Sequence, residues 1–149
     1  MLLLLDSGPL GLLSNPAHTT KGQEAREWAE ARLTAGHRLV VPEIADYEVR
    51  RELLRADKQL GLARLDQLTA GFGYLPLTTA MMRDAASLWA EARNSGLPTA
   101  HDAALDGDVI LAAQARHAPT ANLAETVVVA TTNATHLSRY VDAREWSDI

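Results

Sequence analysis

Three features of the sequence predict an α/β fold built on a small parallel sheet. Leu2-Leu3-Leu4-Leu5 is a short apolar run without alternation, the pattern of a strand covered on both faces. A second run of this kind, Thr126-Val127-Val128-Val129-Ala130, lies near the other end of the chain. Between the first run and Arg38-Leu39-Val40-Val41 stands a helical segment, so the chain opens as β-α-β, the unit that sets strands parallel.

Taken in order, the first strand stops at Asp6-Ser7-Gly8. Pro9 to Leu13 reads as a short helical turn, closed by Ser14-Asn15-Pro16. Over Gln23 to Ala35 the residues Ala25, Trp28, Ala29 and Leu33 recur at helical spacing, and Gly36 ends that helix. Pro42 stops the second strand and opens a helix from Glu43 to Arg55. On it Asp46, like Glu43 and Asp57, reads as a surface or helix-dipole residue. A further helix from Lys58 to Ala70 carries Leu60, Leu62, Leu65 and Leu68, and Tyr74 to Leu77 is extended. Thr78 or Thr79 caps a long helix to Ala92 with Met81, Met82, Ala85, Leu88 and Trp89 on one side, and Gly96-Leu97-Pro98-Thr99 stops it. The segment Ala104 to Ala115 is apolar nearly all round and so a buried helix, with Asp106 as its N-cap. His136 reads as a surface or hydrogen-bonding residue, and Leu137 to Ile149 closes the chain with Trp146 packed inward.

At 149 residues the chain fits one domain, 1–149, and an apolar fraction of 47% excludes a disordered protein. The absence of cysteine excludes disulfides, thiolate metal sites and a cysteine nucleophile. Met1–Leu5 is too short for a signal-peptide core, and no apolar run approaches membrane-spanning length, so a soluble, cytoplasmic protein without membrane contact is expected. A net charge of −5 argues against non-specific coating of nucleic acid, although a local basic strip still binds phosphate. All but Lys21 and Lys58 of the fourteen basic residues are arginine, the side chain better suited to bidentate phosphate contact.

The candidate chemistry lies in the acids. In parallel sheets ligands collect beyond the carboxyl ends of the strands, which is where Asp6 falls. Glu48 projects between Ile44 and Ala45, within the inward arc of its helix, where a carboxylate needs a partner or a cation. Asp108 follows Asp106 at the head of a buried helix. Each has an ordinary alternative: Asp6 and Asp106 as caps, Glu48 as a marginal residue paired with Arg51 as Glu52 is with Arg55. Asn133 ends the last buried strand as Asp6 ends the first. Should these positions meet at one sheet edge, the clustered carboxylates need a cation, and all-oxygen ligands select Mg²⁺ or Mn²⁺. Such an ion activates water for displacement at phosphorus. A haloacid-dehalogenase-like phosphatase also starts from an acid after a first strand, but needs a second Asp where this chain has Gly8.

At four blocks the chain resembles the PIN-domain ribonucleases, most closely the VapC-type toxins of toxin–antitoxin pairs. The blocks are Leu5-Asp6-Ser7, Ile44 to Leu53, Asp106 to Ala115 and Val129 to Leu137, in the family's order and over nearly the whole length. The resemblance implies a PIN-like three-layer α/β/α domain with a small central parallel sheet. It implies a divalent-metal-dependent endoribonuclease, the toxin of a bacterial type II system. Asp6, Glu48 and Asp108 would be the catalytic and metal-holding acids, with Mg²⁺ or Mn²⁺ as cofactor. Asp106 would assist directly or through water, and Ser7, Thr132 and Asn133 would be accessory, orienting water or a phosphate oxygen. Implied partners are an RNA substrate, a cognate antitoxin inserting a segment near the acids, and a second copy in a homodimer. Many members carry a fourth acid just after the Thr-Asn pair. Here the chain reads Thr132-Asn133-Ala134, which leaves less charge for a metal. The alternative is a catalytically inactive PIN-like module that binds protein or RNA.

Overall fold

The computed structural model describes residues 1–96 and 106–149. Leu97 to Thr99, part of the expected helix stop, and Ala104-Leu105 lie outside the described residues. The first strand, β1 (Leu2–Leu5), sits in the middle of a five-stranded sheet. β2 (Arg38–Pro42) flanks it on one side and β4 (Val127–Thr131) on the other, both parallel to it. Outside these lie β3 (Tyr74–Leu75), paired with β2, and β5 (Ala143–Glu145), paired with β4, again parallel. The order β3-β2-β1-β4-β5 places the change of winding direction between β1 and β4. A crevice at the carboxyl ends of those two strands follows from this topology.

Both sheet faces are covered, which explains the unbroken leucine run. Leu3 and Leu5, with Val128 and Ala130, pack under α1 (Ser7–Ser14), α2 (Thr20–Thr34), α3 (Glu43–Arg55) and α4 (Gln59–Phe72). Leu2 and Leu4, with Val129, face α5 (Thr79–Asn94) and α6 (Gly107–Arg116). The chain closes with a single-turn helix, α7 (Ala134–Leu137), and a 3₁₀ turn whose Trp146 meets Trp28 edge-to-face at 5.8 Å.

The helix ends follow local chemistry. Thr19 caps α2 by accepting from the Gly22 amide, which starts that helix three residues before the expected Gln23. Thr78 does the same for α5 through Met81. Gly73, at φ +101°, turns the chain from α4 into β3, a conformation that favours glycine. Pro42 precedes α3 and has no capping side chain, so the cap comes from elsewhere. Gln114, fully buried on α6, accepts from the Ile44 amide through Oε1 (3.3 Å) and donates through Nε2 to the Leu75 carbonyl (2.7 Å). One core amide therefore ties α6, α3 and β3 together.

Three expectations need correction. Asp46 is buried, at 8% exposure, because α4 and β3 close over that side of α3. Arg50 Nη2 reaches it at 2.9 Å and Asp66 of α4 at 2.8 Å, while the Tyr74 hydroxyl donates to its Oδ2 at 3.4 Å. Burial, and then the Asp46 charge, push the Tyr74 hydroxyl up to about 12. Met82 and Leu60 face outward, the latter 72% exposed, although each falls in a helical apolar pattern. The strand β5 was not expected, since Ala-Arg-Glu carries no strand pattern of its own.

Gln114→Leu keeps the volume but strands the Ile44 amide and the Leu75 carbonyl in the core. Urea unfolding should show a loss of about 2–4 kcal/mol. A change below about 0.5 kcal/mol would mean that the tie carries no weight.

Candidate active site

Asp6 is the first residue past β1. Its amide continues the ladder to Ala130 (3.0 Å), and its carboxylate caps α1, Oδ1 accepting from the Ser7 amide at 2.6 Å. Leu5 pairs with Ala130, so the next residues, Asp6 and Thr131, stand side by side. The buried Thr131 Oγ1 accepts from the Asn133 amide (2.9 Å) and donates to Asp6 Oδ2 (2.7 Å). The Ser7 hydroxyl also donates to Oδ1, at 3.4 Å, so both carboxylate oxygens of Asp6 are held, and Oδ2, with one donor, keeps further lone-pair capacity.

Glu48 and Asp108 approach from α3 and α6. The Glu48 carboxylate lies so close to Gly107 that a Cβ there would collide with its Oε1. Burial raises the Glu48 carboxyl above its ordinary value; a hydrogen bond with Ser7 opposes this, Asp6 and Asp108 add to it, and Arg51 opposes it. Asp108 is raised by burial first, then by Asp106 and Asp6, with His136 opposing. The charge of Asp6 thus reaches both Glu48 and Asp108, from two other parts of the chain. Asp106 is buried and caps α6, its Oδ1 accepting from the Asp108 amide at 3.2 Å. Two helix N-termini, of α1 and α6, supply partial positive charge at the same corner.

The structure brings Asp6, Ser7, Glu48, Asp106 and Asp108 together. Thr132 is exposed, its side chain packed on Gly8. Asn133 is also exposed and engages the site through its backbone amide. Sequence reasoning missed Thr131, which parallel register alone reveals, and Gly107, whose missing side chain admits Glu48. His136, read from the sequence as a surface or hydrogen-bonding residue, is half exposed with its Nδ1 3.7 Å from Asp108 Oδ2, a placement beside the acids that the sequence did not indicate. That residue sits on the short helix directly after Asn133, near where many family members place an acid.

Among the described residues no three His, Asp or Glu side chains converge tightly enough to grip an ion directly. The donor set nonetheless suits a hard cation bound partly through water, the usual manner of Mg²⁺. Its side-chain ligands are oxygens, and the carboxyls of Glu48 and Asp108 are raised by burial first and then by neighbouring acids, whose repulsion a cation would relieve. From Ser7 and Glu48 a cleft of about 780 Å³ runs between α1 and α3 towards Lys58, past Gly11, Val49, Arg51 and Leu53.

A profile of the PIN domain matches residues 17–140, so the chain belongs to the PIN domain family. Glu48 and Asp108 fall inside the matched stretch and Asp6 precedes it. Among solved structures, the fold is similar to a chain of VapBC2 from Rickettsia felis bound to a DNA fragment from their promoter. That match has 16% identity and a TM-score of 0.69, over 97% of this chain and 98% of the other. A chain of VapBC-1 from nontypeable Haemophilus influenzae matches at 17% identity and TM-score 0.69, over 99% of both chains. One from DNA-bound VapBC of Salmonella typhimurium matches at 21% and 0.64, over 98% of this chain and 99% of that one. These likenesses establish the fold. A comparison with curated proteins gives no match. No helix among the described residues is long and apolar enough to cross a membrane.

A carboxyl raised by folding subtracts stability above its folded pKa and ceases to do so below its unfolded one. Glu48→Gln should therefore melt higher than wild type at pH 7, with the gap closing as pH falls towards 4.5. A gap independent of pH would contradict a Glu48 carboxyl raised by burial and, after it, by its acidic neighbours.

Proposed function

We propose that this protein is a divalent-metal-dependent endoribonuclease, the toxin of a toxin–antitoxin pair. The observation that carries the reading is the placement of three carboxylates at the carboxyl end of a parallel sheet: Asp6 just past β1, held by Thr131 at 2.7 Å, and Glu48 against Gly107, the residue before Asp108. Asp6, Glu48 and Asp108 would hold Mg²⁺ or Mn²⁺, partly through water, with Asp106 assisting. When bound, the ion supplies Lewis acidity at a phosphoryl oxygen and a more acidic water. Ser7 and Thr131 keep the Asp6 carboxylate oriented, and the oxygens of Glu48, made more basic by burial, accept a proton from the attacking water. Thr132 and Asn133, exposed at the mouth, orient water or a phosphate oxygen. The VapBC likeness supports a cognate antitoxin as partner, and a homodimer belongs to the same reading.

A second reading, an inactive binding module, draws on two observations. The acids stand too far apart for direct three-way ligation among the described residues, and no carboxylate follows Asn133.

Calorimetric titration of Mn²⁺ into wild type and Asp6→Asn separates the two. The enzyme reading expects binding that the variant loses, with RNA cleavage lost in parallel and the fold retained. Absence of binding and cleavage in folded wild type, with any divalent ion, would select the module. Thr131→Val removes the hydroxyl that donates to Asp6 and accepts from the Asn133 amide, and should lower Mn²⁺ affinity or cleavage by about 10- to 100-fold. An unchanged value would detach Thr131 from the site.

A further inference from the structure

The helix that carries Glu48 bears three arginines, and they are used differently. Arg50 is committed to Asp46 and Asp66, and Arg55 to Glu52 at 2.8 Å. Arg51 makes no ion pair or hydrogen bond among the described residues, although Glu48 lies one turn before it. Its guanidinium instead lies over the ring of Tyr47, 5.2 Å from the centroid. Tyr47 is 50% exposed, more than any other Tyr, Trp or Phe among the described residues. Tyr47 directly precedes Glu48 on α3, and Arg51 lines the cleft that Ser7 and Glu48 also line.

We propose that Tyr47 and Arg51 form a nucleotide clamp beside the acids, the ring stacking an unpaired base next to the scissile phosphate and the guanidinium taking the adjoining phosphate. The inference rests on the RNA reading and names the surface that selects a single-stranded substrate. A phosphodiester approaching four carboxylates is repelled, so productive binding needs a cation close by that no ion pair among the described residues holds. Arg51 is such a cation, and its planar fork matches phosphate. Its position on one face of Tyr47 stiffens the ring and leaves the remainder open to a base. Aromatic rings and guanidinium planes are the usual platforms for splayed bases of single-stranded RNA. Lys58 at the far end of the cleft continues the cationic path, while the charge of Glu52 is offset by Arg55. A protein partner would gain little from an aromatic already covered on one face by a charge.

The test uses the full chain with Asp6→Asn in every sample, so that RNA is bound without being cut. Fluorescence anisotropy follows a labelled, mixed-sequence single-stranded RNA of about 12 nucleotides and its abasic counterpart. Tyr47→Ala should weaken binding of the intact RNA about tenfold. Tyr47→Phe, which keeps the ring, should restore it. The abasic RNA should bind weakly and respond little to Tyr47→Ala. Arg51→Ala should weaken both RNAs and reduce the salt dependence by about one phosphate contact. Both side chains are exposed, so thermal melting should be unchanged. Intact RNA bound equally well by Tyr47→Ala and Arg51→Ala would overturn the clamp and assign this surface to a protein partner, leaving the nuclease reading untouched. Failure of the nuclease reading itself would show separately, as wild-type protein that never cuts RNA with any divalent ion.

Discussion

Leu5 and Ala130 pair in parallel, and one residue further on Thr131 donates its proton to Asp6. That contact is a by-product of sheet register. β1 has strands on both edges and helices on both faces, so it admits no polar side chain until it leaves the sheet. Its first polar residue must therefore fall at the sheet's carboxyl end, beside whatever ends β4. The winding reverses between those two strands, so no crossover helix fills the gap above them. An acid corner at that point is the cheapest place in the fold to expose a carboxylate while still holding it by hydrogen bonds.

The acids also serve the helices. Asp6 caps α1, and Asp106 caps α6 with Asp108 in its first turn. Capping and charge clustering act in opposite directions here. At Asp108 the helix N-terminus favours the ionised form, whereas burial, and then the charges of Asp106 and Asp6, disfavour it. Glu48, which caps nothing, is raised by burial and by the charges of Asp6 and Asp108. Gly107 allows this crowding, because any side chain there would push the Glu48 carboxylate outward. The corner is thus assembled from elements that are each stable for their own reasons, and the residual repulsion is the part that a bound cation or proton would relieve.

Much of this was legible from residue order. The leucine run, the valine run, the bounds of α3 and the capping role of Asp106 follow from period and composition, which report on a residue's own element. The misses share a different cause. Asp46 lies in a helical turn that looks solvated, and only the packing of α4 and β3 buries it. Leu60 fits an apolar stripe but lies beyond the last element that would cover it. β5 exists because β4 offers an open edge, and Ala-Arg-Glu has no inclination of its own to form a strand. Thr131 and Thr132 are indistinguishable by composition; register with β1 turns the first towards Asp6, while the second packs on Gly8. Contacts between elements are not encoded in the periodicity of either one.

Gln114 gives the site a kind of mechanical independence. It binds the helix bearing Asp108 to the first turn of the helix bearing Glu48, from inside the core and well away from solvent. The separation between those two carboxylates is accordingly referenced to a buried crossbar rather than to the outer connections of the fold. Surface substitutions can accumulate, and recognition of partners can diversify, without retuning the gap between the acids. A change at the crossbar would do the reverse, shifting the chemistry while leaving every outward-facing residue as it was.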